Sequence, residues 1–100
     1  MKAEALLRTN QAGAGLTIVN NIRANRGASA LGELNLDNLL DERARELYLE
    51  GWRRQDLIRF GKFLGPKPLK NSESDPKYLL FPIPSQQIAA NPNLEQNPGY

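Results

Sequence analysis

Apolar residues recur at helical spacing in two short segments at the start of the chain. Pairs three and four positions apart predict one helix over about residues 2–8 and a second over about residues 14–26. Gly27 follows the second segment, and glycine readily adopts the left-handed conformation that ends many helices. We therefore predict a helical hairpin over residues 2–27, the unit from which helical repeat proteins are built.

The longest amphipathic pattern lies over residues 35–63. Asn35 is a favourable N-cap, and Leu34 and Leu39 occupy the two positions of a hydrophobic staple. Apolar residues then recur at three- and four-residue intervals. Gly51 interrupts this run, and an interior glycine costs about 1 kcal/mol relative to alanine. The pattern predicts a long helix with a kink, a break or a close backbone contact at Gly51.

Two aromatic residues of this segment, Tyr48 and Trp52, are four positions apart and would share a helix face. Such a pair can stack on sugars or bases. Leu40 and Leu47 fall on the same apolar stripe, however, and that stripe already accounts for both aromatic rings. We therefore expect Tyr48 and Trp52 to pack in the core.

Charged residues alternate along the same segment. Glu42, Glu46 and Glu50 would lie on one stripe of a helix, with Arg53 and Asp56 close behind. Three aligned carboxylates can bind a metal ion or perform acid–base chemistry. A face of short-range ion pairs is the simpler interpretation, since no histidine or second acidic segment accompanies the stripe. We expect no catalytic residue and no metal site here, but a structural network, partly buried and mutually hydrogen-bonded.

Proline and polar residues dominate the remainder. Residues 66–79 have the composition of a loop, and residues 80–100 contain too many prolines for a long helix or a central strand. A short helical turn capped by Ser85 is expected within the second segment, ended by Asn91 and the proline that follows it. The apolar residues spaced along this C-terminal strap are predicted to anchor it: Phe81, Ile83, Leu94 and Tyr100.

Composition narrows the possible functions. The formal net charge is only +2, and basic residues are interspersed with acidic ones, which argues against a nucleic-acid interface. The chain has neither cysteine nor histidine, so disulfides, thiol chemistry and the commonest metal ligand are excluded. No apolar run reaches membrane-spanning length, and no signal-peptide core follows the first residues. We expect no cofactor.

Two segments carry a resemblance to a known family. Residues 40–63, with their Glu-Arg, Glu-Leu, Glu-Gly and Asp-Leu-x-Arg elements, resemble the long helical motif near the end of SusD/RagB proteins. The strap, from Phe-Pro-Ile-Pro to Asn-Pro-Gly-Tyr, resembles the C-terminal signature of that family more specifically. The hairpin is similar to the one that precedes these motifs. The chain departs from the family pattern at two places. Trp52 occupies a position where the family often has histidine, and the loop at residues 66–77 is shorter than in many family members.

The resemblance implies a mainly α-helical chain: a tetratricopeptide-like hairpin, a long broken helix and an irregular strap, together the C-terminal portion of a SusD-like domain. It implies a lipid-anchored protein of the bacterial outer-membrane surface that binds glycans or other nutrients and delivers them to a SusC-like TonB-dependent transporter. Such proteins are not enzymes. The family's ligand-binding aromatics and lipidated cysteine lie upstream of the matching region, so no ligand-binding residue can be assigned here. The following residues would be scaffold: Glu42, Glu46, Glu50, Trp52, Arg53 and Asp56.

The resemblance also implies that Met1 is an artificial start and that the hairpin lacks its stacking partners. An apolar edge would then remain exposed, and the isolated chain would be marginally stable or would self-associate. The residues of this edge are Leu6, Leu7, Ile18 and Ile22. One alternative is a free-standing helical module that binds a protein partner. An enzyme built on the glutamate stripe is the remotest alternative.

Overall fold

The computed structural model describes residues 1–100, and the chain is mainly helical with no β-strand, as the sequence predicts. The helices are α1 (Lys2–Arg8), α2 (Ala12–Asn25), α3 (Leu36–Glu46), α4 (Arg53–Arg59), a 3₁₀ turn (Pro76–Leu79) and α5 (Ser85–Ala90). They fall into two compact units, residues 1–60 and residues 61–100. None of these helices has the length and hydrophobicity of a membrane-spanning segment.

The first two helices form the predicted hairpin, and α1 packs along α2. Gly15 permits their close approach, because a Cβ atom there would lie only 2.9 Å from the main-chain oxygen of Ala3. The buried apolar residues of this unit come from α1, α2, α3 and the segment before α3. They are Ala3, Val19, Leu34, Leu39 and Leu40.

The end of α2 confirms the role predicted for Gly27. Its φ angle is +68°, and the amide of the next residue, Ala28, donates to the carbonyl of Arg23 at 2.9 Å. The Gly27 amide donates to the carbonyl of Ala24 at 3.1 Å. These two bonds form a Schellman motif, which satisfies carbonyl groups that the helix end would otherwise leave unpaired.

The start of α3 is also as predicted. The Asn35 side chain accepts from the amide of Asn38 at 2.9 Å, and the Asn38 side chain accepts from the Asn35 amide at 2.9 Å. This reciprocal capping box satisfies two amides at the helix start. Leu34 and Leu39 are both buried, which is consistent with the predicted staple.

The long helix is interrupted more widely than expected. Residues 47–52 are not helical, and both Leu49 and Gly51 have left-handed φ angles, +63° and +78°. The prediction that Tyr48 and Trp52 pack in the core is wrong, because the exposed fractions of their side chains are 75% and 52%. The turn removes both rings from the helical register on which the prediction depended.

In the second unit, several polar side chains form hydrogen bonds with the backbone. The Gln96 side chain accepts from the Ile83 amide at 2.8 Å and donates to the Ile83 carbonyl at 2.9 Å. The Tyr100 hydroxyl donates to the Leu80 carbonyl at 3.0 Å. The predicted short helix is present as α5, but Ser85 is its first residue and does not cap it, because Pro84 occupies the N-cap.

Candidate functional site

Ion pairs between distant helices are the most distinctive chemical feature of residues 1–60. Arg59, on α4, donates to the carboxylates of both Glu4, on α1, and Asp56, on its own helix. The Arg59–Asp56 distance is 2.8 Å, and Arg43 on α3 donates to the second oxygen of Asp56, also at 2.8 Å. One chain of charged groups therefore connects α1, α4 and α3.

Both carboxylates of this chain are buried, with exposed fractions of 4% for Glu4 and 2% for Asp56. Arg8 completes the shell around Glu4 with a hydrogen bond of 3.0 Å. The guanidinium carbons of Arg8 and Arg59 lie 5.0 and 5.3 Å from the ring centre of Phe60, within cation–π range. Each buried charge is thus surrounded by opposite charge, and Phe60 packs against the two arginines.

These surroundings determine which protonation state is stable. Burial alone raises the pKa of the Glu4 carboxyl, but the hydrogen bonds and charges of Arg59 and Arg8 outweigh it, and the pKa lies below its usual value. Burial likewise raises the pKa of Asp56, but the hydrogen bonds and charges of Arg43 and Arg59 have the larger effect. The pKa of Asp56 is therefore also below its usual value. Hydrogen bonds to the two carboxylates raise the pKa of Arg59. Both acids are therefore ionised at neutral pH and poorly suited to general-acid catalysis.

A second ion-pair group joins the hairpin to α3. Glu42 is buried, and its carboxylate accepts from Arg23 of α2 at 2.5 Å and from Arg45 at 2.9 Å. Arg23 also donates to the Ser29 carbonyl at 2.7 Å, so it ties α3 to the segment that follows α2. Glu42 therefore does not belong to an exposed stripe but to the contact between α2 and α3.

The remaining charged residues of the predicted stripe are separated from one another. Glu46 accepts two hydrogen bonds from Arg26, at 2.7 and 3.2 Å, and these contacts lower the pKa of Glu46. Arg53 donates to the carbonyl of Leu40 at 2.9 Å. The side chain of Glu50, beyond the end of α3, makes no ion pair or hydrogen bond. The turn at residues 47–52 thus divides the predicted stripe, and no acidic cluster able to hold a metal ion is present.

Sequence reasoning missed the partners of these acids. Glu4 and Arg59 are 55 positions apart, and Arg23 and Glu42 are 19 apart, so helical periodicity does not connect them. The signal that could have found them is an arginine in the last turn of each of α1 to α4, which is visible in the sequence but does not specify the pairing. A short-range pair of the predicted kind does form between Asp56 and Arg59, three positions apart on α4.

The predicted apolar edge of the hairpin borders a groove of about 320 Å³ between α1, α2 and α3. Ile18 and Ile22 line this groove together with Leu47, and Leu7 packs against the core instead. The side chains are half-buried rather than fully exposed. A hydrophobic groove therefore remains open beside the Glu42 ion pairs.

The predicted strap anchors differ in exposure. Ile83 is half-buried, whereas Phe81, Leu94 and Tyr100 are exposed, Phe81 the most. The Phe81 carbonyl accepts from the Asn97 side chain at 2.7 Å, so this hydrogen bond holds the backbone at a residue whose exposed fraction is 70%.

Comparison with known proteins gives a consistent result. The model of the SusD family matches residues 1–100. The chain is 38% identical over 99% of its length to the starch-binding protein SusD of Bacteroides thetaiotaomicron. It is 31% identical over its whole length to a SusD-like protein of Formosa agariphila. It spans about a fifth of the length of these two relatives, 19% and 22% respectively.

Proposed function

The chain belongs to the SusD family, and from this premise we propose that it is the C-terminal scaffold portion of a cell-surface glycan-binding protein. The full-length protein would bind a glycan or related nutrient and deliver it to a SusC-like TonB-dependent transporter. It would be lipid-anchored in the outer membrane, and it would not be an enzyme.

One observation carries this proposal: the family model matches all 100 residues, and a starch-binding relative is 38% identical over nearly the whole chain. The match includes the interrupted helix as well as the strap. Since the chain spans about a fifth of that relative, glycan binding is proposed for the full-length protein and not for these residues alone.

The ion pairs support a scaffold role for this portion. Asp56 and Glu42 each accept from two arginines, and the arginines come from different parts of the unit. Buried carboxylates that are fully paired fix the arrangement of helices but leave no polar group free for a ligand. For the other sequence-predicted residues we also propose a structural role rather than ligand binding: Glu46, Glu50, Trp52, Arg53, Phe81, Ile83, Leu94 and Tyr100.

Affinity electrophoresis of the full-length gene product in gels containing soluble starch, glycogen or another polysaccharide tests the proposal. Retardation by at least one glycan, unchanged by Arg45→Met, is the expected result. Arg45 is the control because its side chain is largely exposed and its partner Glu42 keeps Arg23. The isolated chain should show no retardation.

Absence of retardation by a broad glycan panel, with a folded protein by circular dichroism, would contradict the proposal. Saturable binding of a protein partner, insensitive to added sugars, would favour the interaction-module alternative instead. Co-purification with a TonB-dependent transporter from outer membranes tests the partner separately.

A further inference from the structure

The last five residues of the chain bind back onto the segment at residues 77–83. The Gln96 side chain pairs with both backbone groups of Ile83, the amide at 2.8 Å and the carbonyl at 2.9 Å. The Asn97 side chain donates to the Phe81 carbonyl at 2.7 Å. We call residues 96–100 the C-terminal clasp.

The other end of the clasp is held by Tyr100. Its hydroxyl lies 3.0 Å from the Leu80 carbonyl and 3.2 Å from the Lys77 carbonyl. The Lys77 ammonium lies 5.4 Å from the centre of the Tyr100 ring, within cation–π range. Gly99 has a φ angle of +88°, and a Cβ atom there would lie only 3.0 Å from the Cβ atom of Lys77. Glycine therefore permits the close approach that brings Tyr100 onto its acceptors.

Burial of apolar side chains contributes little to this closure. The buried residues of the chain all lie within residues 1–60, and the strap contains none. The Tyr100 side chain itself is exposed, so it anchors the strap mainly through its hydroxyl and not through burial of its ring. Segments with few buried apolar contacts and solvent-exposed hydrogen bonds open locally at a lower free energy than the core does.

Prolines keep the site of the clasp in one conformation. Ile83 lies between Pro82 and Pro84, so its amide is the one backbone donor of these three residues. The fixed φ angles of the two prolines restrict this segment to extended conformations whether or not the clasp is bound. A clasp that leaves the segment can therefore rebind it without reordering the backbone there.

We propose that the C-terminal clasp is a conformational device whose contacts form and break together. The strap then has a closed state, which is the one described above, and an open state in which residues 1–60 remain folded. Opening uncovers the backbone amide and carbonyl of Ile83 and the Phe81 carbonyl, which the clasp otherwise pairs. This inference goes beyond the proposed function and does not depend on glycan binding.

Tyr100→Phe tests whether the clasp opens as one unit. The variant removes only the hydroxyl, whose acceptors are Leu80 and Lys77 and not Ile83. Loss of this hydrogen bond should nevertheless speed hydrogen exchange of the Ile83 amide, measured by NMR, by about three- to tenfold. Tyr48→Phe is the matched control, because Tyr48 is an exposed tyrosine outside the strap. It should leave the Ile83 exchange rate unchanged.

Deletion of residues 96–100 tests whether the rest of the chain stays folded when the strap is open. The Ile83 amide should then exchange as fast as in an unstructured peptide. The Ala28 amide, which donates to the Arg23 carbonyl within residues 1–60, should keep its protection in the deletion variant and in both tyrosine variants.

An unchanged Ile83 exchange rate in Tyr100→Phe, or an equal increase in Tyr48→Phe, would overturn the inference. Loss of Ala28 protection on deletion of the clasp would also overturn it, because the strap would then not open independently of the remaining chain. None of these outcomes bears on the proposed function, which is tested by retardation of the full-length protein in polysaccharide gels.

Discussion

Arg43→Met tests the importance of the buried ion pairs. It removes the guanidinium that lies 2.8 Å from Asp56 and retains much of the aliphatic volume. Asp56 is 2% exposed, so water cannot replace the lost partner, but Arg59 continues to donate at 2.8 Å. Removing one partner of a buried pair costs about 3–5 kcal/mol, and the remaining arginine reduces our expectation to about 2–4 kcal/mol.

Arg45→Met is the matched control. Arg45 lies on the same helix as Arg43 and also pairs with a buried carboxylate, that of Glu42. The Arg45 side chain is 62% exposed, however, whereas that of Arg43 is 10% exposed. An exposed pair contributes about 0–1 kcal/mol, so the control should be nearly neutral. The contrast between the two variants, rather than either value alone, measures the effect of burial.

Urea denaturation at pH 7, followed by helical circular dichroism, measures both variants. Because the stability of a domain of this size is about 5–15 kcal/mol at most, sucrose should be added to keep the variants folded at zero urea. The double variant Arg43→Met/Asp56→Asn should recover part of the loss, because it no longer buries an uncompensated charge. Equal destabilisation by Arg43→Met and Arg45→Met, or no recovery in the double variant, would refute the reasoning.

Further predictions concern pH, helix packing and association. The folded-state pKa values of Glu4 and Asp56 lie below their usual values, so both ionised carboxylates stabilise the fold. This contribution to the free energy of unfolding should be complete above about pH 5 and should decline as the pH falls below about 4. Urea midpoints across pH 3–7 that do not fall with acid would contradict this. Gly15→Ala should destabilise by about 1–3 kcal/mol, since its Cβ would lie 2.9 Å from a main-chain oxygen of α1. Gly13→Ala, in the same helix with open space around it, should be neutral or stabilising by up to about 1 kcal/mol in the same urea assay. The isolated chain should self-associate through its open groove, and sedimentation showing a monomer at all concentrations, with a sharp urea transition, would exclude this.

Local signals predicted much of the fold. Asn35 starts α3 and Gly27 ends α2, because capping depends on a few neighbouring residues whose chemistry is visible in the sequence. The interruption at Gly51 was also indicated by the residue itself. Its extent was not, because Leu49 adopts a conformation that its own propensity opposes, and only the surrounding structure requires it.

The ion-pair network shows the opposite case. The sequence indicated that charged residues near Asp56 would be partly buried, but it suggested mainly short-range partners within one helix. In the structure, Arg59 binds Glu4 of α1 as well as Asp56. Glu46 of α3 binds Arg26, which lies at the end of α2. Such pairings depend on how the helices pack, and no periodicity within one segment encodes them.

The measurement that tests the central claim most directly is the DNA sequence upstream of the Met1 codon in its source genome. Our account predicts an open reading frame that continues for several hundred codons through helical segments to a signal peptide with a cysteine at its cleavage site. A stop codon and a ribosome-binding site directly before Met1 would contradict the account. The 100 residues would then be a complete protein, and the helical interaction module would become the leading explanation.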